Sequence, residues 1–380
     1  MRVTQIINRK PADLAVALNS LNDGPADLLL VFGSIEHFTS ADFHDNLREA
    51  FPAALLLGCT TAGEITAEGV DDGTCTVTAI KFEQTRLSPA TTRLAGMDDS
   101  FAAGERLGKQ LATPDLKAVL VFGPGVKING SALVNGISGV IGNTIPITGG
   151  LAGDGGAFRE TFTVGAQGVA NDQVVAIGLS GDRLCFGHGS FGGWEPFGPA
   201  RKVTRCTGNV LHELDGEPAL EIYRRYLGEH AKGLPASGLL FPFAMLGEDH
   251  SAVGLIRTIL GIDETSGSLI LAGEIDPDGY LRLMHASTDK LVNGAESAAE
   301  AALGMLQSGA DCLAVLVSCV GRKLVMGDRV DEEIEAVSEV FGSAGVLTGF
   351  YSYGEISPFA TGASCKLHNQ TMTITCLRED

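Results

Sequence analysis

One unit recurs along this chain, and it restricts the fold more than any single motif. Residues 27–34, "DLLLVFGS", form a short apolar run ending in small residues, and the run predicts a buried strand. A helically spaced segment follows, "SADFHDNLREAF", with a serine placed as an N-cap. Then comes "ALLLGCTTAGEI" (54–65), a second strand running into a glycine turn. The same order returns in "LKAVLVFGPG", "SALVNGISGVIG" and "IPITGGLAGDGG" (116–156), and again in "CLAVLVSCVGR", "VDEEIEAVSEVFG" and "GVLTGFYSYGEI" (312–356). Each copy ends in a glycine loop carrying an acid: Glu64, Asp154 and Glu355. The first and last loops share G-x-x-x-x-G-E-I, starting at Gly58 and Gly349, while the middle copy departs in spacing. Two readings stay open: chance likeness among ordinary strand–helix–strand units, or internal duplication with equivalent loops lining ligand sites at strand ends.

Between the copies the pattern turns to strands. Residues 74–82 alternate as a half-buried strand, and 160–182 read as a hairpin around Gly168 and Asn171. Residues 266–287 read as another, with Asp278-Gly279 at its turn. "ESAAEAALGMLQSG" (296–309) reads as an amphipathic helix stopped by glycine. A helix starting near Glu217–Pro218 marks the expected domain boundary, because proline favours the first helical turn. The expected organisation is a lead-in over 1–26, an amino-terminal domain over 27–213 and a carboxy-terminal domain over 214–380. The fold class is α/β: two related halves with mixed sheets flanked by helices, built from repeated strand–helix–strand units.

A net charge of -19 repels nucleic-acid phosphates and anionic lipid, so neither is an expected partner. No run is apolar for long enough to predict a membrane span, and no signal-peptide core is legible at the amino terminus. The eight cysteines form no C-x-x-C, so they are expected to be reduced, mostly buried thiols of a cytoplasmic protein.

The stretch "CFGHGSFGGWEPFGP" (185–199) holds His188 between two glycines, six residues before the sole tryptophan. Gly187 and Gly189 would clear space for something flat beside the ring, with Phe186, Phe191 and Trp194 supplying apolar or stacking contact. The plainer alternative is a turn histidine bonded to backbone. Residues 187–192 match G-x-G-x-x-G in form only, since "GWEPFGP" follows in place of a helix. His285, beside Met284 at a strand end, is the rival imidazole; His37 and His368 are placed in polar loops or edges, and His250 in a turn. Cys59 sits in a glycine loop after a strand, where a nucleophile could sit, with Glu64 near it in sequence. A small polar ligand would instead use Gly58, Thr60, Glu64, Tyr351, Tyr353 and Glu355.

"GGLAGDGG" (149–156), "LDGEPALEIYRRYLG" (214–228), "FPFAMLGED" (241–249), "AGEIDPDGYLRLMHAS" (272–287) and "GFYSYGEISP" (349–358) together resemble the FIST family. The resemblance implies tandem amino- and carboxy-terminal sensory domains that bind ligands in signal transduction, and not an enzyme. "FGHGSFGGWEPFGP" is similar to the form found in the haem-binding, nitric-oxide-sensing branch. That likeness implies non-covalent haem b on His188, nitric oxide or another diatomic gas as the signal, and a histidine kinase or cyclic-di-GMP enzyme as the regulated partner. It leaves a homodimer open. The alternative within the family is a sensor of an amino acid or other small polar ligand, without haem.

Overall fold

The structure is a computed structural model that describes residues 1–21, 24–306, 312–359, 362 and 364–380. It is α/β with mixed sheets flanked by helices, and the repeated unit occurs three times as three six-stranded sheets. The first sheet runs Arg2–Asn8, Cys75–Lys81, Leu28–Gly33, Leu55–Thr60, Thr163–Gly165, Gly168–Ala170. The second runs Arg86–Arg93, Gln173–Ser180, Leu116–Gly123, Ile147–Leu151, Gly354–Pro358, Cys365–His368. The third runs Leu184–Phe191, Met372–Glu379, Leu313–Cys319, Val346–Ser352, Glu64–Thr66, Gly69–Asp71. In all three the two central strands are parallel and every other neighbour is antiparallel. The middle copy, irregular in spacing, therefore builds a sheet of the same plan as the two that share a loop motif.

The central strands are apolar throughout because both of their faces are covered. Alternate residues point to a core common to all three sheets: Leu28, Leu30 and Phe32; Ala118, Leu120 and Phe122; Leu313, Val315 and Val317. At one end of this core Phe32, Phe122 and Phe350 form a ring cluster with centroids 4.7–5.6 Å apart. The opposite faces pack under helices: Leu14–Ser20 and Phe43–Ala50 on the first sheet, Ser100–Leu111 and Gly130–Ile141 on the second, Thr288–Gly304 and Asp331–Phe341 on the third.

Each unit also lends its outer hairpin to another. The hairpin after Leu55–Thr60 pairs with Val346–Ser352 of the third sheet. The one after Ile147–Leu151 pairs with Leu55–Thr60 of the first, and the one after Val346–Ser352 pairs with Ile147–Leu151 of the second. The exchange is cyclic, so no unit completes its sheet alone. Gly58, Gly149 and Gly349 hold equivalent positions, opposite Val31, Val121 and Leu316 of the parallel partner strand. A β-carbon on any of them would lie 1.9–2.0 Å from the partner's carbonyl oxygen. Only glycine lets the backbones approach this closely.

An eight-stranded sheet is inserted between Leu184–Phe191 and Thr288–Gly304. It has its own core with helix Ala219–Leu227, including Leu211, Leu220, Tyr223 and Leu283. The expected hairpin over 266–287 does not form. Ser268–Leu271 pairs with Val210–Leu214 and Ile259–Asp263, whereas Tyr280–His285 pairs with Glu195–Thr207 and Phe243–Leu246. The Asp278-Gly279 turn links non-neighbouring strands of one sheet. The position between residues 213 and 214 lies inside this sheet, where Leu214 pairs with Glu217. Residues 2–8 of the expected lead-in are the edge strand of the first sheet.

Candidate functional site

Glu64 and Glu355 are equivalent. Each follows the shared glycine loop, and Glu64 opens the exchanged strand opposite Phe350 as Glu355 continues its own opposite Gly150. Both carboxyls are buried and held by matched partners. Glu64 accepts from the Thr61 hydroxyl, from the Thr74 N–H at 2.9 Å and from the Thr74 hydroxyl at 2.8 Å. Glu355 accepts from the Ser352 hydroxyl at 2.7 Å and from the Thr371 N–H and hydroxyl at 3.1 and 2.9 Å. Burial pushes each carboxyl up to about 7, against those hydrogen bonds.

The middle acid does not fill this role. Register places Thr163, opposite Cys59, where the others have glutamate, and Thr163 Oγ1 donates to the Gln173 carbonyl at 3.0 Å. Residues between Gly149 and Thr163 are more numerous than between Gly58 and Glu64, which displaces Asp154 from the series. Asp154 instead accepts from the N–H groups of Phe158, Arg159 and Glu160 at 2.7–3.1 Å and from the Tyr353 hydroxyl. Tyr353 stacks on Phe158 with centroids 4.0 Å apart.

Where these loops meet, a cavity of about 610 Å³ opens at the carboxyl ends of the parallel strands. All three units line it: Ser34–Glu36, 61–64 and 72–73 from the first, 154–156 from the second, and Val320, Lys323, Leu324 and Gly327 from the third. Lys323 is the one cation among these lining residues. Its Nζ donates to the Ala62 carbonyl at 3.0 Å, pairs with Asp72 and lies 5.4 Å from the Tyr351 ring centroid. The oxygens of Glu64 and Asp154 are already occupied by protein donors, so both shape the wall. Lys323 and Asp72 form the charged pair at the rim.

The other two units show what became of the equivalent places. In the second, Pro124, Asn171 and Asp172 correspond to Ser34, Asp72 and Gly73, and they line a cavity of about 460 Å³ with Lys127 and Arg159. In the third, Gln370 takes the place of Gly73, with φ +64 against +79. Its Nε2 donates to the Leu239 carbonyl of the inserted region, and its own carbonyl accepts from Trp194 Nε1. The insertion therefore closes that position.

Of the residues expected to hold a small ligand, Glu64 lines the main cavity directly. Tyr351 and Tyr353 support it from behind: the Tyr351 hydroxyl donates to buried Glu333, and Tyr353 fixes Asp154. Gly58 and Thr60 serve packing, with Thr60 Oγ1 accepting from the Phe162 N–H at 2.9 Å. Glu355 lies in its own unit, away from the cavity lining. Sequence reasoning did not single out Lys323 or Asp72. The available signal was their place in the repeat, just past a strand end.

His188 is not in a loop. It lies within the strand Leu184–Phe191, paired with Thr375, and its ring is buried, which lowers its pKa. The flanking glycines face helix Thr288–Gly304: a β-carbon on Gly187 or Gly189 would meet the carbonyl of Ala302 or Ala298 at 2.2 or 2.0 Å. The space they leave is filled by the helix backbone. Haem needs an imidazole at the wall of an apolar slot. The described residues do not fit it here: Phe191 points to solvent, the Trp194 N–H is committed to Gln370, and neither cavity described above is lined by His188. Phe186 packs against the common core, 6.4 Å from the His188 ring. His285 ends its strand against Phe197. His37 and His368 are buried, His368 in the edge strand Cys365–His368 of the second sheet and His37 on a helical turn; burial lowers both, His368 to about 4. Cys59 is fully buried in the common core, and burial raises its thiol pKa well above the usual value, so it presents no thiolate nucleophile.

Fold and site define a three-unit α/β protein with a polar cavity at the junction of the units. The model of the FIST N domain matches residues 27–217, and that of the FIST C domain matches residues 219–358. The chain belongs to the FIST family, whose domains have a sensory, ligand-binding role in signal transduction. It is 29% identical over 231 residues to the uncharacterized protein MJ1623 of Methanocaldococcus jannaschii, covering 56% of this chain and 43% of that protein. Among solved structures it is similar to the cyanuric acid hydrolase from A. caulinodans at TM-score 0.37 and 10% identity, over 100% of this chain and 98% of that one. No helix of the described residues is long and apolar enough to cross a membrane.

Proposed function

We propose that this chain senses a small polar ligand held in the 610 Å³ cavity where the three units meet. The observation that carries the reading is the lining itself: Lys323 and Asp72 face one another across elements from the third and first units. A ligand bearing both an acidic and a basic group, such as an amino acid, would replace that ion pair with two of its own. Asp72 directly follows the exchanged hairpin Glu64–Asp71, and Lys323 lies on the helix after Leu313–Cys319. Separating the pair would shift the hairpin against the helix, and that relative movement is the signal we assign to the ligand. The output falls on a partner, for which a histidine kinase or cyclic-di-GMP enzyme suits the family role.

The test is a panel of amino acids and related zwitterions scored by thermal shift and then by calorimetry. At least one is expected to bind saturably, and Lys323→Met is expected to weaken it tenfold or more. Binding that ignores Lys323→Met would place the ligand elsewhere and overturn the reading.

A further inference from the structure

Arg257 ends the strand Ala252–Arg257 and is 4% exposed. Its Nε donates to the Glu274 carbonyl at 3.1 Å and its Nη1 to the Ile256 carbonyl at 3.2 Å. That leaves three of the five guanidinium N–H donors without an acceptor among the described residues. No carboxylate among the described residues lies within 4.0 Å of it. Burying a cation is costly, and burial lowers the Arg257 pKa to about 10 against the opposing charge of Glu274. Glu274 is the nearest source of relief, but its Oε1 is turned to Asn129 Nδ2 at 3.4 Å.

The guanidinium borders a cavity of about 230 Å³ at the seam between the inserted sheet and the second unit. Ser131 and Asn135 reach it from helix Gly130–Ile141, Lys366 from strand Cys365–His368, and Glu274 and Asp276 from the insertion. The space admits several water-sized groups. That suits phosphate or a short carboxylate. A guanidinium fork is matched to such oxyanions by two parallel hydrogen bonds. We infer that Arg257, aided by Lys366, binds a compact oxyanion in this cavity, as a site separate from that at Lys323. Occupancy would neutralise the buried cation and tie the inserted sheet to the second unit.

Inorganic phosphate and acetate, each titrated at constant ionic strength against chloride, test this by calorimetry and thermal unfolding. At least one is expected to bind saturably and raise the unfolding temperature. Lys366→Met, at an exposed position, should weaken binding at least fivefold, whereas Lys323→Met should leave it unchanged. Glu274→Gln should tighten binding about threefold by removing a competing carboxylate. If neither anion does more than chloride, the site does not exist. Anion binding that falls with Lys323→Met and not with Lys366→Met belongs to the other cavity and overturns the assignment. Loss of stability in Glu274→Gln without tighter binding would show that Glu274 already answers the charge of Arg257, which also overturns it.

Discussion

Glu355 offers a quantitative handle on the buried loops. Its carboxyl is raised from an ordinary 4.5 to about 7, chiefly by burial. Folding therefore favours the neutral acid. The contribution is present in full below the unfolded value and is lost as pH rises through about 7. At ~1.4 kcal/mol per pH unit the full effect is about 3 kcal/mol, most of which falls between pH 5 and pH 8.5. Glu355→Gln keeps a neutral group of the same shape. Its amide carbonyl accepts from Thr371, and its NH₂ donates to the Ser352 hydroxyl once that hydroxyl rotates. Urea unfolding of both proteins from pH 5 to 8.5 reads the effect as a difference. His37, His188 and His368, all lowered by burial, contribute stability that is lost as pH falls below their ordinary 6.5. Glu64 behaves as Glu355 does. All four are common to both proteins and cancel. The wild type should match the variant near pH 5 and fall roughly 2–3 kcal/mol below it at pH 8.5. A flat difference, or a wild type that gains on the variant as pH rises, would mean that the donors from Ser352 and Thr371 outweigh burial and hold the carboxylate charged.

Gly349→Ala puts a methyl 2.0 Å from the Leu316 carbonyl in the parallel pair, and Gly189→Ala puts one 2.0 Å from the Ala298 carbonyl of the packed helix. Each should cost roughly 3 kcal/mol or more by urea unfolding, while Gly139→Ala, which meets open space, should not destabilise. Haemin titrated into the protein should give no saturable Soret change at one per chain, and His188→Ala should leave the spectrum as it was. A stoichiometric band lost in His188→Ala would restore the haem reading and require the strand Leu184–Phe191 to part from its helix.

The sequence by itself determined the class and the repetition. Apolar runs such as 28–32 and 313–317 mark central strands without further help, since strands covered on both faces lose the alternation of a half-exposed sheet. The equivalence of Glu64 and Glu355 was legible in their shared loop motif, whereas the matched donors Thr74 and Thr371 lie outside that motif and are brought in by the adjoining strands. Which neighbour fills the space beside a glycine is not written locally. Gly187 and Gly189 read as room for a cofactor, and only tertiary packing shows a helix backbone in that room. Nor could local pattern show that each hairpin pairs with another unit's strand, because register is set by partners hundreds of residues away. The cavity follows from that exchange. Lys323 and Asp72 are distant in the chain, and they meet because the hairpin ending at Asp71 completes the sheet from which the Lys323 helix departs.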